Sequence, residues 1–373
     1  MHRLPPRTPS RGGRPPTVEA GTRQGRNAPS SCILTPDGDH VPTTASAPDL
    51  GRRVRPDVRR WLDHRTFTAE TWQAADLVGA KRARGSTVSV VLPALDEERT
   101  VGTIVATIRE RLVEACPLVD EVVVVDSGSS DRTAEVAAAA GARVVSVDTV
   151  LPRHGSRPGK GEALWKSLHA TSGDLLVFVD SDLIAFDPQF VVGLLGPLLT
   201  DPTVGYVKAL YDRPLTTTDG IVPSGGGRVT ELLARPLLNA FWPELAGFVQ
   251  PLSGEYAGRR ELLEQVPFVS GYGVELGLLV DLVALAGLDA LAQVDLGTRQ
   301  HSHQADAALG RMAGQILQTA LARRPGGEKP DRELLQFLRT ADGLEGVSWD
   351  VGVVERPPMR SVRAAERRRG TWA

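Results

Sequence analysis

A chain of 373 residues with 41% hydrophobic content is long enough for one large α/β domain, or for a nucleotide-binding domain with an elaborated second half, and is no small stapled module. The formal net charge of -2 lacks the basic excess that a nucleic-acid partner would call for, so ligands are sought in local sites. Two cysteines, Cys32 and Cys116, leave no disulfide framework or thiolate cluster, and without an apolar run of about 18 residues or a signal-peptide core a cytoplasmic protein with no membrane contact is expected.

Residues 1–46 are rich in Pro, Arg, Gly, Ser and Thr and carry no apolar period, so they are expected to be disordered. From Pro56 to Arg84 a helical arm is expected, with an N-cap at Thr68 or Thr71 and with Trp61, Phe67 and Trp72 as packing anchors. Strands and helices then alternate in the manner of a parallel sheet. The first strand is Thr87 to Leu92, followed by a helix from Glu97 to Val113, a second strand at Glu121 to Val125, a helix at Ser130 to Ala140 and a third strand at Ala142 to Val147. A helix begins near Lys160, a fourth strand spans Asp174 to Val179, and a helix at Phe190 to Leu199 precedes a strand at Val204 to Tyr211. The second half opens with a Gly/Pro/Thr loop from Arg213 to Gly227, then helices at Arg228 to Ala240 and Gly273 to Leu285 and a strand at Ala292 to Leu296. A last helix, Ala305 to Ala322, leads into a polar, arginine-rich tail.

Ligands of open parallel sheets bind beyond the carboxyl ends of the strands. Here those ends are polar: Asp96-Glu97-Glu98 after strand 1, Asp126-Ser127-Gly128-Ser129 after strand 2 and Asp180-Ser181-Asp182 after strand 4, which in the usual 3-2-1-4 order share one crevice. Two carboxylates on a short turn after a buried strand suit a hard divalent cation bridging to diphosphate oxygens. A solvated turn or helix cap would use the same residue types. Pro158-Gly159-Lys160-Gly161 resembles part of a phosphate loop but lacks the Ser or Thr after the lysine, so an ATPase is disfavoured and Lys160 is either a diphosphate or uracil contact or a surface lysine. Gly225-Gly226-Gly227-Arg228-Val229-Thr230-Glu231 opens a helix with freed amides, a guanidinium and a hydroxyl, which points to an anionic acceptor or else to a linker. Arg299, His301 and His303 stand just past a strand, where imidazole completes a metal shell and arginine pairs with phosphate.

These motifs, together with Val91-Leu92-Pro93-Ala94-Leu95, Gly254-Glu255-Tyr256-Ala257-Gly258 and Gly271-Tyr272-Gly273-Val274-Glu275, resemble in their order those of the actinobacterial glucosyl-3-phosphoglycerate synthases, over roughly Asp57 to Arg363. The resemblance implies an α/β fold of GT-A type, an open, mostly parallel sheet flanked by helices. It also implies a retaining, Mg2+-dependent homodimer (Mn2+ as the alternative metal) that moves glucose from UDP-glucose to the 2-hydroxyl of 3-phosphoglycerate for methylglucose lipopolysaccharide synthesis. Carried over by position, Pro93, Ala94, Leu95, Glu97, Ser127 and Lys160 hold the uridine part of the donor, Asp180 and Ser181 face ribose and sugar, and Asp182 with His301 binds the metal. Gly227, Arg228, Val229, Thr230, Arg299 and His303 hold the acceptor, Glu275 contacts the donor glucose, and the carbonyl of Leu252 lies near the reacting centre, so Asp180, Leu252 and Glu275 form the catalytic set. Asp96 and Ser302-His303 depart from the pattern, which has Asn and Arg-Asn there. The implied organisation is a tail (1–46), an N-terminal helical arm (47–86), a nucleotide-sugar region (87–212), an acceptor region (213–325) and a C-terminal extension (326–373). A mannosyl transferase with another donor, a lipid-phosphate acceptor, a nucleotidyltransferase and a non-catalytic nucleotide-sugar sensor are the alternatives; the absence of a hydrophobic anchor disfavours the lipid, and the absence of a glycine-rich signature near strand 1 disfavours the nucleotidyltransferase.

Overall fold

The computed structural model describes residues 54–212, 215–217, 220–222, 227–298, 306–324, 326, 331–340 and 343–370. The expected disorder of residues 1–46 and the assignments at Arg299, His301 and His303 lie outside them. The arm does not form one helix: α1 (Pro56–Arg65) gives way to a short strand, β1 (Thr66–Thr68), then to a 3-10 turn at Ala69–Thr71 and to α2 (Ala74–Arg84). Tertiary pairing decides this, because β1 lies parallel to a strand far downstream, Thr66 opposite Gln293, and β-branched and aromatic residues suit an edge strand. Thr68 precedes only the 3-10 turn and makes no side-chain cap, and α2 starts after Gln73, so neither threonine caps a helix as expected. The aromatics do anchor the arm. Trp61 is buried and its Nε1 donates to the Leu291 carbonyl at 2.8 Å, while Trp72 packs over Gly196, where an added Cβ would sit 2.1 Å from the indole.

The alternation that follows runs β2 (Val88–Ala94), α3 (Val101–Ile108), β3 (Glu121–Asp126), α4 (Thr133–Ala139), β4 (Arg143–Ser146), α5 (Lys160–Ala170), β5 (Leu175–Phe178), α6 (Gln189–Thr200) and β6 (Tyr206–Asp212). The stretch expected as a loop holds a small hairpin, β7 (Leu215–Thr217) and β8 (Gly220–Val222), and the helix expected from Arg228 is a π-helical turn, Thr230–Ala234, that passes into α7 (Arg235–Phe241). Beyond it come β9 (Tyr256–Arg259), α8 (Arg260–Leu263), β10 (Phe268–Val269), α9 (Val274–Ala286), β11 (Leu291–Thr298) and α10 (Asp306–Arg323). The expected polar tail is instead structured as β12 (Glu333–Thr340), β13 (Gly343–Asp350), β14 (Glu355–Arg356) and α11 (Met359–Arg368).

One eight-stranded sheet carries the molecule, in the order β1-β11-β6-β9-β5-β2-β3-β4. The expected 3-2-1-4 order of the first four long strands is present as β4-β3-β2-β5, all parallel. β9 is antiparallel to both β5 and β6 and joins two parallel blocks. It was not anticipated: four residues, two of them Ala and Gly, carry little strand signal. The central strands bury both faces, Val90, Leu92, Val122 and Val124 towards a layer containing α3 and α6, and Val91, Val123 and Val125 towards a layer containing α5 and α9. That two-sided burial is why these strands read as unbroken apolar runs. No described helix is long and apolar enough to cross a membrane.

Candidate active site

The parallel strands all end at one edge of the sheet, and β9, running the other way, begins there. The turn after β2 is fixed by Asp96, whose φ of 58° is left-handed. Asp tolerates this region better than most residues because its carboxylate can bond locally. Its Oδ1 accepts from the Ser130 N–H at 2.7 Å and the Ser130 hydroxyl at 3.1 Å, which explains how an aspartate serves where the pattern has asparagine. The Glu97 N–H donates to Thr133 Oγ1 at 2.7 Å, so the loops after β2 and β3 are stitched together. Ser127 joins them through its backbone N–H on the Ala94 carbonyl at 2.9 Å. Pro93 and Ala94 are half-buried and buried, and Leu95 stands out into solvent.

The triplet after β5 divides its work. Ser181 is buried and its hydroxyl donates to the Pro93 carbonyl at 2.7 Å, locking β5 to β2, while its own carbonyl accepts from the Thr100 hydroxyl at 2.6 Å. Asp182 is exposed at the edge. Asp180 turns inward, and the Lys160 ammonium donates to its Oδ1 at 2.5 Å and lies 3.1 Å from Glu275 Oε1. Three residues from three elements, Lys160 at the start of α5, Asp180 after β5 and Glu275 in the first turn of α9, thus form one ionic cluster. Burial works against the lysine's charge, but Asp180 and then Glu275 outweigh it and hold the ammonium firmly protonated.

The phosphate-loop likeness around Lys160 has another cause. A Cβ at Gly161 would lie 1.7 Å from the Val269 carbonyl oxygen and one at Gly159 2.6 Å from that of Ser270, and the Glu162 N–H donates to the Ser270 carbonyl at 3.2 Å. The glycines permit backbone packing against the Val269–Ser270 segment.

The turn leading into β9 supplies the residue that sequence reasoning left without a role. A Cβ at Gly254 would stand 2.0 Å from Asp180 Oδ2 and 2.4 Å from its Cγ, so only glycine leaves room for the inward carboxylate. The turn before it is pinned to β6, Ser253 Oγ donating to the Ala209 carbonyl at 2.8 Å and Gln250 Nε2 to that of Tyr211 at 3.1 Å, which places half-buried Leu252 between the two ties. Gly254→Ala is expected to displace Asp180 and to lower kcat about 100-fold, the usual consequence of shifting a site group by about 1 Å; native kcat in this variant would show that the carboxylate is not needed where it is held.

Negative charge gathers around Asp182. Burial, then the charge of Asp182, pushes the Glu97 carboxyl up to about 7, with Asp180 and Asp131 adding to the shift and the Thr100 hydroxyl opposing it. Asp182 therefore sits in an excess of carboxylate that suits a hard divalent ion, although among the described residues no three His, Cys, Asp or Glu converge on one position. The acceptor candidates Gly227, Arg228, Val229 and Thr230 open the π-helical turn, with Arg228 exposed and Thr230 buried. Such turns recur at functional sites. β11 ends at this same edge, its Thr298 opposite Asp212 of β6, immediately before Arg299.

The Glycosyl transferase family 2 model matches residues 89–266. The glucosyl-3-phosphoglycerate synthase of Mycolicibacterium paratuberculosis is 53% identical over 311 residues, covering 81% of this chain and 92% of the relative. The chain belongs to the glucosyl-3-phosphoglycerate synthase family. A solved synthase of this family, from Mycobacterium tuberculosis in complex with Mn2+, UDP-glucose and phosphoglyceric acid, superposes with a TM-score of 0.70 at 50% identity, covering 78% of this chain and 96% of that one. A further structure of the same synthase holds Mg2+ and UDP. The mannosyl-3-phosphoglycerate synthase of Rubrobacter xylanophilus superposes with a TM-score of 0.76 at 40% identity over 83% of this chain and 99% of that one. The sheet described above is accordingly that of a GT-A glycosyltransferase, as the synthase family requires.

Proposed function

We propose that the Lys160–Asp180–Glu275 cluster and the carboxylates around Asp182 are the donor side of an enzyme that transfers glucose from UDP-glucose to 3-phosphoglycerate. The observation that carries this reading is the convergence of Lys160, Asp180 and Glu275 at the sheet edge, in a chain 53% identical to a glucosyl-3-phosphoglycerate synthase. Pro93, Ala94, Leu95, Glu97 and Ser127 line the uridine side from the ends of β2 and β3. Asp182 and His301 would hold Mg2+, or Mn2+ in its place, with diphosphate oxygens completing the shell; the ion's chemistry there is to neutralise charge on the departing UDP. The acceptor bears a carboxylate, a phosphate and one free hydroxyl, so the new bond forms at C2. Arg228, Thr230 and the amides at Gly227 and Val229 take its anionic groups, and the family resemblance assigns Arg299 and His303 to the same role.

Transfer proceeds with retention by displacement on the front face. The anomeric C–O bond to UDP breaks with its electron pair leaving on the phosphate oxygen, the acceptor oxygen bonds to the anomeric carbon, and the acceptor proton passes to that departing phosphate oxygen. Asp180 and Glu275 are both paired to Lys160, and this mechanism gives neither a covalent role. A glycosyl-enzyme trapped by mass spectrometry would overturn this mechanism.

The decisive assay offers UDP-, ADP- and GDP-hexoses with 3-phosphoglycerate and Mg2+, and follows nucleotide release and product NMR. Product from UDP-glucose is expected; product from GDP-mannose alone would replace the glucosyl reading with the mannosyl one. For Arg228→Ala an increase of about 10- to 100-fold in acceptor KM is expected, the range for losing a charged hydrogen bond, with UDP affinity kept; an unchanged acceptor KM would count against the assignment. The reading includes a homodimer. The β12–β13 hairpin offers Leu335, Phe337 and Leu344 at 57%, 63% and 65% exposure as a surface for a second copy, and light scattering of the purified protein tests it.

A further inference from the structure

Beneath the donor cluster lies a set of polar groups that fold stability does not account for. Lys208 sits in the middle of β6, fully buried, with Tyr206 two residues before it on the same face and Tyr256 of β9 directly opposite. Its ammonium stands 4.4 Å from the centroid of the Tyr256 ring, and that ring packs on Phe178 at 5.0 Å and on Tyr206 at 5.6 Å. Lys208 Nζ, Tyr206 Oη and Tyr256 Oη are all buried and meet no hydrogen-bond partner. A methionine would fill the same volume without the cost of burying an ammonium, and two phenylalanines would spare the hydroxyls. Residues that a fold keeps at such a cost mark a functional demand.

The demand is visible in what surrounds the lysine. Glu275 from α9, Lys160 from α5, Glu255 just before β9 and Asp180 after β5 all act on its charge, with Tyr206 and Tyr256 as the titratable groups on the sheet itself. Three carboxylates in that group face one other cation, Lys160. The donor's diphosphate brings further negative charge to the same edge.

We propose that Lys208 is a positioning residue for glucosyl transfer: from the floor of the site it holds the Glu275 and Asp180 carboxylates in register with Lys160, through ordered water that its ammonium shares with the Tyr206 and Tyr256 hydroxyls. Buried polar atoms of this kind are met by water that makes two to four bonds, and a lysine whose partners are reached through water acts on the donor cluster without touching substrate. Burial pulls its ammonium down to about 7; Glu275 is foremost in opposing that shift and Lys160 adds to it. The positioning charge is therefore present below neutrality and fades above it.

The inference rests on the glucosyl-transfer reading, and the test separates the two. Native protein is first assayed with UDP-glucose, 3-phosphoglycerate and Mg2+; no product there removes the reading itself. Given native activity, Lys208→Met is expected to keep a native circular-dichroism spectrum and a Tm equal to or above that of the native protein. Its kcat should fall at least about tenfold with both KM values within about threefold, the pattern of an interaction made only in the transition state. The native-to-variant ratio of kcat is expected to shrink between about pH 6 and about pH 8.5, as the native lysine loses its proton, whereas a purely structural role leaves that ratio constant. Should Lys208→Met fail to fold, the double variant Tyr206→Phe with Tyr256→Phe carries the test, with kcat expected to fall at least about threefold at unchanged KM. Native kcat in either folded variant, or a ratio that does not move with pH, overturns the proposal.

Discussion

Arg356→Ala is expected to cost the fold about 3–5 kcal/mol, the range for breaking a buried ion pair on one side. The guanidinium makes two bonds of 2.6 Å to the Glu162 carboxylate, which is 1% exposed, and donates to the carbonyls of His154 at 2.9 Å and Gly155 at 3.2 Å. Lys166 lies 3.5 Å from the same carboxylate and cannot replace a two-pronged partner. Denaturant melts read the effect, and a loss below about 1 kcal/mol, the value of an exposed pair, would refute the account. Replacing both partners by apolar residues of similar volume is expected to recover most of the loss, because the penalty lies in the stranded charge. Glu162 is two residues from Lys160 on α5, so the single variant should also lose activity at temperatures where it stays folded.

Asp182→Ala is expected to lower turnover about 1000-fold, since removing a metal ligand forfeits several kcal/mol of leaving-group stabilisation at about 1.4 kcal/mol per tenfold. Binding gives an independent readout: titration of UDP should lose its dependence on Mg2+ in the variant and keep it in the native protein. Near-native turnover, or UDP binding that still responds fully to Mg2+, would remove Asp182 from the metal shell.

The parallel block was legible because its strands are covered on both faces, so Val88–Leu92 and Val122–Val125 had to be continuous apolar runs. The edge position of Asp180-Ser181-Asp182 followed from the same rule. Its inner arrangement did not. Spacing along the chain says nothing of Lys160 meeting Asp180 and Glu275, which the family resemblance grouped and only the packing of α5, β5 and α9 brings within bonding distance. Glycine signals were visible without their cause: Gly159 and Gly161 gave a partial likeness to a phosphate loop, and the packing shows them in close backbone contact with Val269 and Ser270. Arg356 read as part of a polar, arginine-rich tail because its partner, Glu162, is nearly two hundred positions away. Lys208 did carry a signal that went unused, a lysine inside the largely apolar strand expected at Val204 to Tyr211.

The antiparallel strand at the centre of the sheet has a consequence for how the molecule assembles. β5 and β6 never touch as partners; the β4-β3-β2-β5 block and the β6-β11-β1 block are spliced only through four residues of β9. The first block consists of neighbours in the chain and can form early, whereas β1 must wait for β11, more than two hundred residues later. Because non-local pairing is slow, joining the blocks is expected to be the slow event in folding. The splice is also where Gly254 admits the Asp180 carboxylate. Regain of activity after dilution from denaturant is therefore expected to follow the closing of the sheet rather than the collapse of either half.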